Sequence, residues 1–171
     1  ENNLAKYDNS ANLQWTRNYL SSPNGCTALS KLVFTTDSHF VFCGITYDSI
    51  PKGFYAKTDY DGNPIFLKNY GIQYKYYLNS VVELSTGDLM FLGTTDSLSG
   101  SSSVYNLFVL KTDAIGNVIM DTVISLNNFL FNGIGDAVGL NNKIYIVSYK
   151  TTTTSSTSYV LGKIICITED G

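Results

Sequence analysis

The chain has 171 residues, 44% of them hydrophobic and only 15% charged, with a net charge of −3 at neutral pH. That balance describes a globular protein rather than a disordered segment. It also excludes nucleic acid as an expected partner, because phosphate neutralisation needs clustered Lys or Arg and no basic block is present.

No apolar run approaches the ~18–20 residues of a membrane-spanning helix, so no membrane insertion is expected. Thirteen Tyr and nine Phe, with abundant Thr, Val and Ile, favour strands. The chain opens at Glu1 without an initiator Met or signal peptide, already inside a repeat, which reads as a processed, excised or partial protein. Its first pattern is a worn hairpin: Lys6-Tyr7-Asp8, then Asn12, then a strand over Leu13 to Asn18 that carries Trp15.

Next come two strand candidates, Ala28 to Phe34 and Phe40 to Gly44, joined by a polar turn at Asp37-Ser38. After a loop from Tyr47 to Lys52 the hairpin returns in full. Phe54 to Thr58 is one arm, Asp59 to Asn63 the turn and Pro64 to Tyr70 the return arm. Asp and Asn side chains bond local backbone amides in such turns, and Gly62 supplies the positive φ. The order then repeats: Ser80 to Leu84, the turn Thr86-Gly87-Asp88, Leu89 to Thr94, a loop from Asp96 to Ser103, Leu107 to Thr112, a turn with Gly116-Asn117, and Val118 to Val123. A last cycle runs through Ile134 to Leu140, Asn141-Asn142 and Lys143 to Ser148, then a nearly pure Thr/Ser loop from Thr151 to Ser158, and stops at Cys166-Ile167-Thr168-Glu169-Asp170-Gly171. The three loops are low in complexity and are expected to be solvated. No window carries capped 3.6-residue apolar spacing, so almost no helix is expected.

Lys6, Lys57, Lys111 and the aligned Cys166 therefore mark a period of about 51 to 55 residues. Four short antiparallel strands, a to d, in ~50 residues is the length of a propeller blade, close to the kelch period. Residues 1–26 supply strands c and d of a partial repeat, 27–75 and 76–126 are full blades, and 127–171 is a blade lacking its last strand. The expected fold is all-β: a propeller-type array of about three repeats, not closed by this chain alone. Both ends would present apolar faces and bare strand edges. Copies joined end to end would form a ring if the contact closes and a filament if it does not.

The Lys-Thr-Asp-x-x-Gly-Asn pattern, with an apolar return strand ending near Tyr-Gly, resembles the β-propeller repeats of large bacterial secreted and cell-surface proteins. Gly44, Thr46, Lys57, Thr58, Asp59, Gly62, Asn63, Tyr70 and Gly71 carry it in one copy. Gly93, Thr94, Lys111, Thr112, Asp113, Gly116 and Asn117 carry it in the next, and Trp15 and Tyr19 in the first. The last copy departs from it, with Cys166 for Lys and Thr168 for Asp. The resemblance implies an extracellular or cell-surface protein whose repeats serve as scaffold or adhesive modules. Asp48-Ser49-Ile50 and Asp96-Ser97-Leu98 are similar to the O-glycosylation sequon of some exported bacterial proteins, which makes Ser49 and Ser97 candidate glycan sites. Asp121-Thr122-Val123 also fits, but falls in an expected strand.

Few residues suggest chemistry. Asp59-Tyr60-Asp61-Gly62-Asn63 places oxygens at alternate positions, as a calcium loop does. The other copies lose the middle carboxylate and no bidentate Glu follows, so a hairpin turn is the better reading. His39, the single His, lies beside Asp37 in a turn, and adjacency alone supplies no triad geometry. No carboxylate pair suits glycoside hydrolysis. Cys43 fits a buried strand, and an odd cysteine count argues against a full disulfide framework. With one His and no Cys-x-x-Cys, zinc is not expected, nor is any cofactor. Tyr74, Tyr76 and Tyr77 form an aromatic cluster that either fills a gap between blades or stacks on sugar rings. The expectation is a non-catalytic structural or interaction module, self-associating or docked on neighbouring blades. The alternatives are a scaffold fragment of a larger enzyme or sensor, and a carbohydrate-binding propeller.

Overall fold

A computed structural model of the chain describes residues 3–19, 26–47, 49–71, 73–96, 105–125, 133–153 and 158–170. Among them every regular element is a strand. β1 (Asn3–Tyr7) and β2 (Leu13–Asn18) form the first sheet. β3 (Cys26–Phe34), β4 (Phe40–Tyr47), β5 (Lys52–Thr58) and β6 (Pro64–Tyr70) form the second. β7 (Tyr76–Glu83), β8 (Leu89–Thr95), β9 (Asn106–Thr112) and β10 (Val118–Ile124) form the third. β11 (Gly133–Leu140), β12 (Lys143–Thr153) and β13 (Ser158–Thr168) form the fourth. Each sheet is an antiparallel meander in chain order, and none closes on itself.

The turns follow from their residues. Among the described residues five hairpins make a three-residue loop with one residue in the left-handed region: Ala11 at φ 61°, Ser38 at 65°, Gly62 at 77°, Gly87 at 84° and Gly116 at 79°. The bonds match across copies, with Asp8, Asp59 and Asp113 N–H groups donating to the carbonyls of Asn12, Asn63 and Asn117. This is the type I turn closed by a G1 bulge, whose twist suits an antiparallel pair. Ala11 adopts the conformation without glycine's freedom, at a cost of about 1–2 kcal/mol. Asn141 and Asn142 both have positive φ and make the two-residue type I′ turn between β11 and β12.

Strand alternation builds the core. Leu89 and Phe91 point to one side of β8, toward Val41, Cys43 and Tyr55 of the second sheet. Met90 and Leu92 point to the other, toward Ile134, Ile144 and Ile146 of the fourth. On the second sheet's opposite face, Phe42, Phe54 and Ala56 meet Tyr19 and Leu4. The four sheets are thus layered in chain order. Each fully buried Leu or Phe contributes about 1.5–3 kcal/mol. Burial of Cys43 pushes its thiol pKa up, with no compensating cation strong enough to reverse it.

The first strands of successive sheets draw together. A β-bulge falls at one place in each: Leu29/Lys31, Leu78/Ser80 and Ile134/Asp136. Opposite the first two sit Gly44 and Gly93, where a Cβ would lie 1.9 Å and 2.0 Å from a backbone carbonyl oxygen. The bulge residues then meet: Lys31 Nζ lies 2.7 Å from Asp136 Oδ2, and Ser80 Oγ donates to Asp136 Oδ1 at 2.9 Å. Parallel layers on either side of a third would stand about 20 Å apart. A direct bond from the second sheet to the fourth means that the layers fan out from a narrow inner edge.

One loop expectation is corrected. Thr151, Thr152 and Thr153 are not loop but the end of β12, paired with Val160, Tyr159 and Ser158. Their polarity suggested a loop, but the β-branched carbon of Thr suits extended backbone.

Candidate functional site

The repeated turn is satisfied within itself. Asp59 Oδ1 accepts the N–H groups of Asp61 and Asn63 at 2.9 and 2.8 Å, and Oδ2 accepts the Asn63 side-chain amide at 2.8 Å. Asp8 does the same with Ser10 and Asn12, and Asp113 with Ile115 and Asn117. Bonds to the Asn63 side chain and backbone hold the Asp59 carboxyl below the usual range. The same bonds from Asn12 lower Asp8. Bonds from the Asn117 backbone and then its side chain lower Asp113. The carboxylate that suggested an ion loop is therefore occupied by three N–H donors.

The repeat lysines reach from each sheet to the next one's turn. Lys6 Nζ sits 3.4 Å from the centroid of the Tyr60 ring, a cation–π contact. Lys57 Nζ donates to the Ala114 carbonyl at 3.3 Å and to Asp37 Oδ2 at 2.7 Å. Lys111 Nζ donates to the Glu169 carbonyl at 3.3 Å and lies 3.9 Å from Asp88. Tyr60, Ala114 and Glu169 hold the same place in successive turns. Partial burial opposes ionisation of Asp37, but hydrogen bonds from Lys57, Thr35 and His39 outweigh it and hold the carboxyl well below its ordinary value. His39 is accordingly part of the β3–β4 turn, with Nδ1 3.0 Å from Asp37. The return strands add to the link: Tyr19 Oη donates to the Gly62 carbonyl at 2.7 Å and Lys68 Nζ to that of Gly116 at 2.7 Å.

This ladder ends on the fourth sheet, where the lysine position holds Cys166, whose side chain is exposed. Around it the outward face is apolar. Val138, Leu140, Tyr145, Val147 and Ile164, with Ala137 and Asp136, line an open depression of about 460 Å³, and Ile164 is 69% exposed. A second uncovered area lies on the second sheet. The two strands of the first sheet cover only part of it, leaving Phe34 56% exposed next to Leu32.

The tyrosines are divided by strand alternation. Tyr76 packs edge-on against Tyr70 and Phe108. Tyr77, one residue on, faces Tyr105 beside Asn79, Thr94 and Tyr149. Tyr74 shares an open cleft with Tyr76, together with Asn69 and Gln73, which the sequence pattern did not single out. Ser49 is exposed in the β4–β5 connection. Ser97 lies outside the described residues. The Lys31–Ser80–Asp136 cluster was also not foreseen; its only trace in sequence is the break in alternation at each bulge.

No protein-family model matches the chain, and no curated protein is significantly similar to it.

Proposed function

We propose that the chain is a non-catalytic structural and interaction module of β-propeller type from an exported surface protein. In this reading it associates through its terminal sheets with further copies or with the rest of a larger propeller. The fan of layers about a narrow inner edge, joined by Lys31 and Asp136, supports the propeller assignment. So does the repeated lysine link from sheet to turn.

The observation that carries the function is the outward face of the fourth sheet. Val138, Leu140, Val147 and Ile164 stand exposed there, on a sheet whose other face is sealed against the third. Monomers rarely leave such a patch uncovered, and large ones mark protein contacts. The repeat carboxylates are committed to turn amides, so shape and apolar area rather than reactive groups carry the work.

Sedimentation velocity over a range of concentrations, with binding of a hydrophobic dye, tests this reading. The expected result is concentration-dependent association or strong dye binding, reduced by Val147→Asp with the strand spectrum unchanged. A monodisperse monomer that binds no dye would overturn it, as would association indifferent to Val147→Asp.

A further inference from the structure

Between the end of β6 and the start of β7 the surface opens into a cleft of about 520 Å³, lined by Asn69, Tyr70, Gly71, Gln73, Tyr74 and Tyr76. The volume lies within the ~300–1,000 Å³ of small-molecule sites, which pair apolar walls with a few polar groups. Its floor is fixed. Tyr70 and Tyr76 meet edge to face at 5.1 Å, and each ring packs on Phe108, at 5.0 and 4.7 Å. Gly71 has φ 105°, and a Cβ there would lie 2.3 Å from the Tyr76 ring, so only glycine lets that ring close the floor. Its rim is fixed as well. The Tyr76 N–H donates to the Pro51 carbonyl at 3.1 Å, and the Lys75 N–H to Asp96 Oδ1 at 3.1 Å. Tyr70 Oη donates to the Asp121 carboxylate. Between these anchors Tyr74 remains 45% exposed.

The lining chemistry selects a ligand class. None of the six described lining residues carries a formal charge, and the nearby carboxylates of Asp121 and Asp96 already accept from the Tyr70 hydroxyl and the Lys75 N–H, so the lining favours a neutral ligand over a phosphate, carboxylate or amine. Tyr74 offers a ring with a negative π-face, on which the C–H side of a pyranose settles. Gln73 offers a donor and an acceptor, and Asn69 adds its amide N–H donors while its Oδ1 accepts from Thr46 Oγ1 at 3.1 Å, a set that matches vicinal hydroxyls. We propose that this cleft binds a neutral saccharide, with one sugar face on Tyr74 and its hydroxyls on Asn69 and Gln73. This holds whether or not the terminal sheets associate, since the cleft lies on the side of the second and third sheets.

Saturation-transfer NMR on the whole chain with cellohexaose, maltohexaose, mannohexaose and chitohexaose tests it. At least one of these should receive transfer. Tyr74→Ala should weaken that binding tenfold or more, and Gln73→Ala severalfold. Tyr74→Phe should keep most of it, and Tyr77→Ala, outside the cleft, should leave it unchanged. Tyr74 and Gln73 are exposed, so thermal unfolding should hardly move in these variants. Failure of all four saccharides to bind would overturn the proposal. So would binding indifferent to Tyr74→Ala, or a Tyr74-dependent site that takes a decaproline peptide and no saccharide.

Discussion

The third and fourth sheets carry similar sequences and meet different fates. β8 is buried from end to end, because the second sheet covers one of its faces and the fourth covers the other. β12 and β13 are also rich in apolar side chains, here Ile, Val and Tyr rather than the Leu, Met and Phe of β8, yet only Ile144, Ile146 and their neighbours on the inner face are sealed. Tyr145, Val147 and Ile164 alternate with them and line the open face. A strand covered on one side only normally alternates apolar with polar, whereas a strand covered on both sides runs apolar throughout. The fourth sheet therefore has the composition of a two-sided layer in a one-sided position. The difference teaches that burial here is set by neighbours, and a further layer on the fourth sheet is what the proposed association would supply.

The largest effect should come from the two-sided layer. Phe91 is fully buried and its ring lies 5.0 Å from that of Tyr55 in the second sheet. Phe91→Ala should cost about 3–5 kcal/mol, through lost transfer free energy and the cavity left behind. Urea unfolding measures it. A loss under about 1 kcal/mol would mean that the third sheet is not the sealed centre of the stack.

Much of this contrast was readable before the fold was known. The Asp-x-x-Gly-Asn turns announced themselves because each side chain acts within five residues, and local bonds leave local patterns. Lys57 and Lys111 were visible as a repeat, and their role in linking sheets became plain only when Ala114 and Glu169 were placed beside them. The split between Tyr76 and Tyr77 follows from period-two alternation, but its start depends on where β7 begins, and Tyr76 lies ahead of the first apolar residue that marks the strand. The fan was hidden for a different reason. It rests on Lys31, Ser80 and Asp136, three unlike residues brought together by bulges, and nothing in their types says that they meet.

The linking lysine sharpens the comparison at intermediate scale, since the third and fourth sheets differ in having it. The Lys57 side chain is only 5% exposed, whereas that of Asp37 is 47% exposed. Lys57→Met keeps the buried stem and frees a carboxylate that water can reach. Asp37→Asn instead leaves a buried ammonium with the Ala114 carbonyl as its main acceptor. Asp37→Asn should therefore be the more damaging, at about 1.5–3 kcal/mol, and Lys57→Met should cost roughly half as much. The folded-state pKa of Asp37 is depressed, so its contribution is present above the unfolded value of 3.8 and is lost as pH falls through the folded value. The gap between wild type and Asp37→Asn should be widest at neutral pH and shrink in strong acid. Urea titrations at pH 7, 4 and 2 check the order and the trend; a gap independent of pH would detach Asp37 from the link.

The smallest effect is the most telling. Ile164 carries the same kind of side chain as Ile144, which is fully buried across the same sheet. Without a further layer, Ile164→Thr removes exposed apolar area from water and should move stability by less than about 0.5 kcal/mol in the isolated chain. In the associated form the same change should cost more, because a covered face turns a surface position into a core one. The thiol of Cys166 lies on that face opposite Tyr145 in the β12–β13 register, so its alkylation rate reports cover directly. Alkylation should be fast at low protein concentration and slow as association sets in, and Ile164→Thr should restore the fast rate. A rate constant at all concentrations would show the outer face of the fourth sheet to be a true surface, and its apolar run would then need another cause.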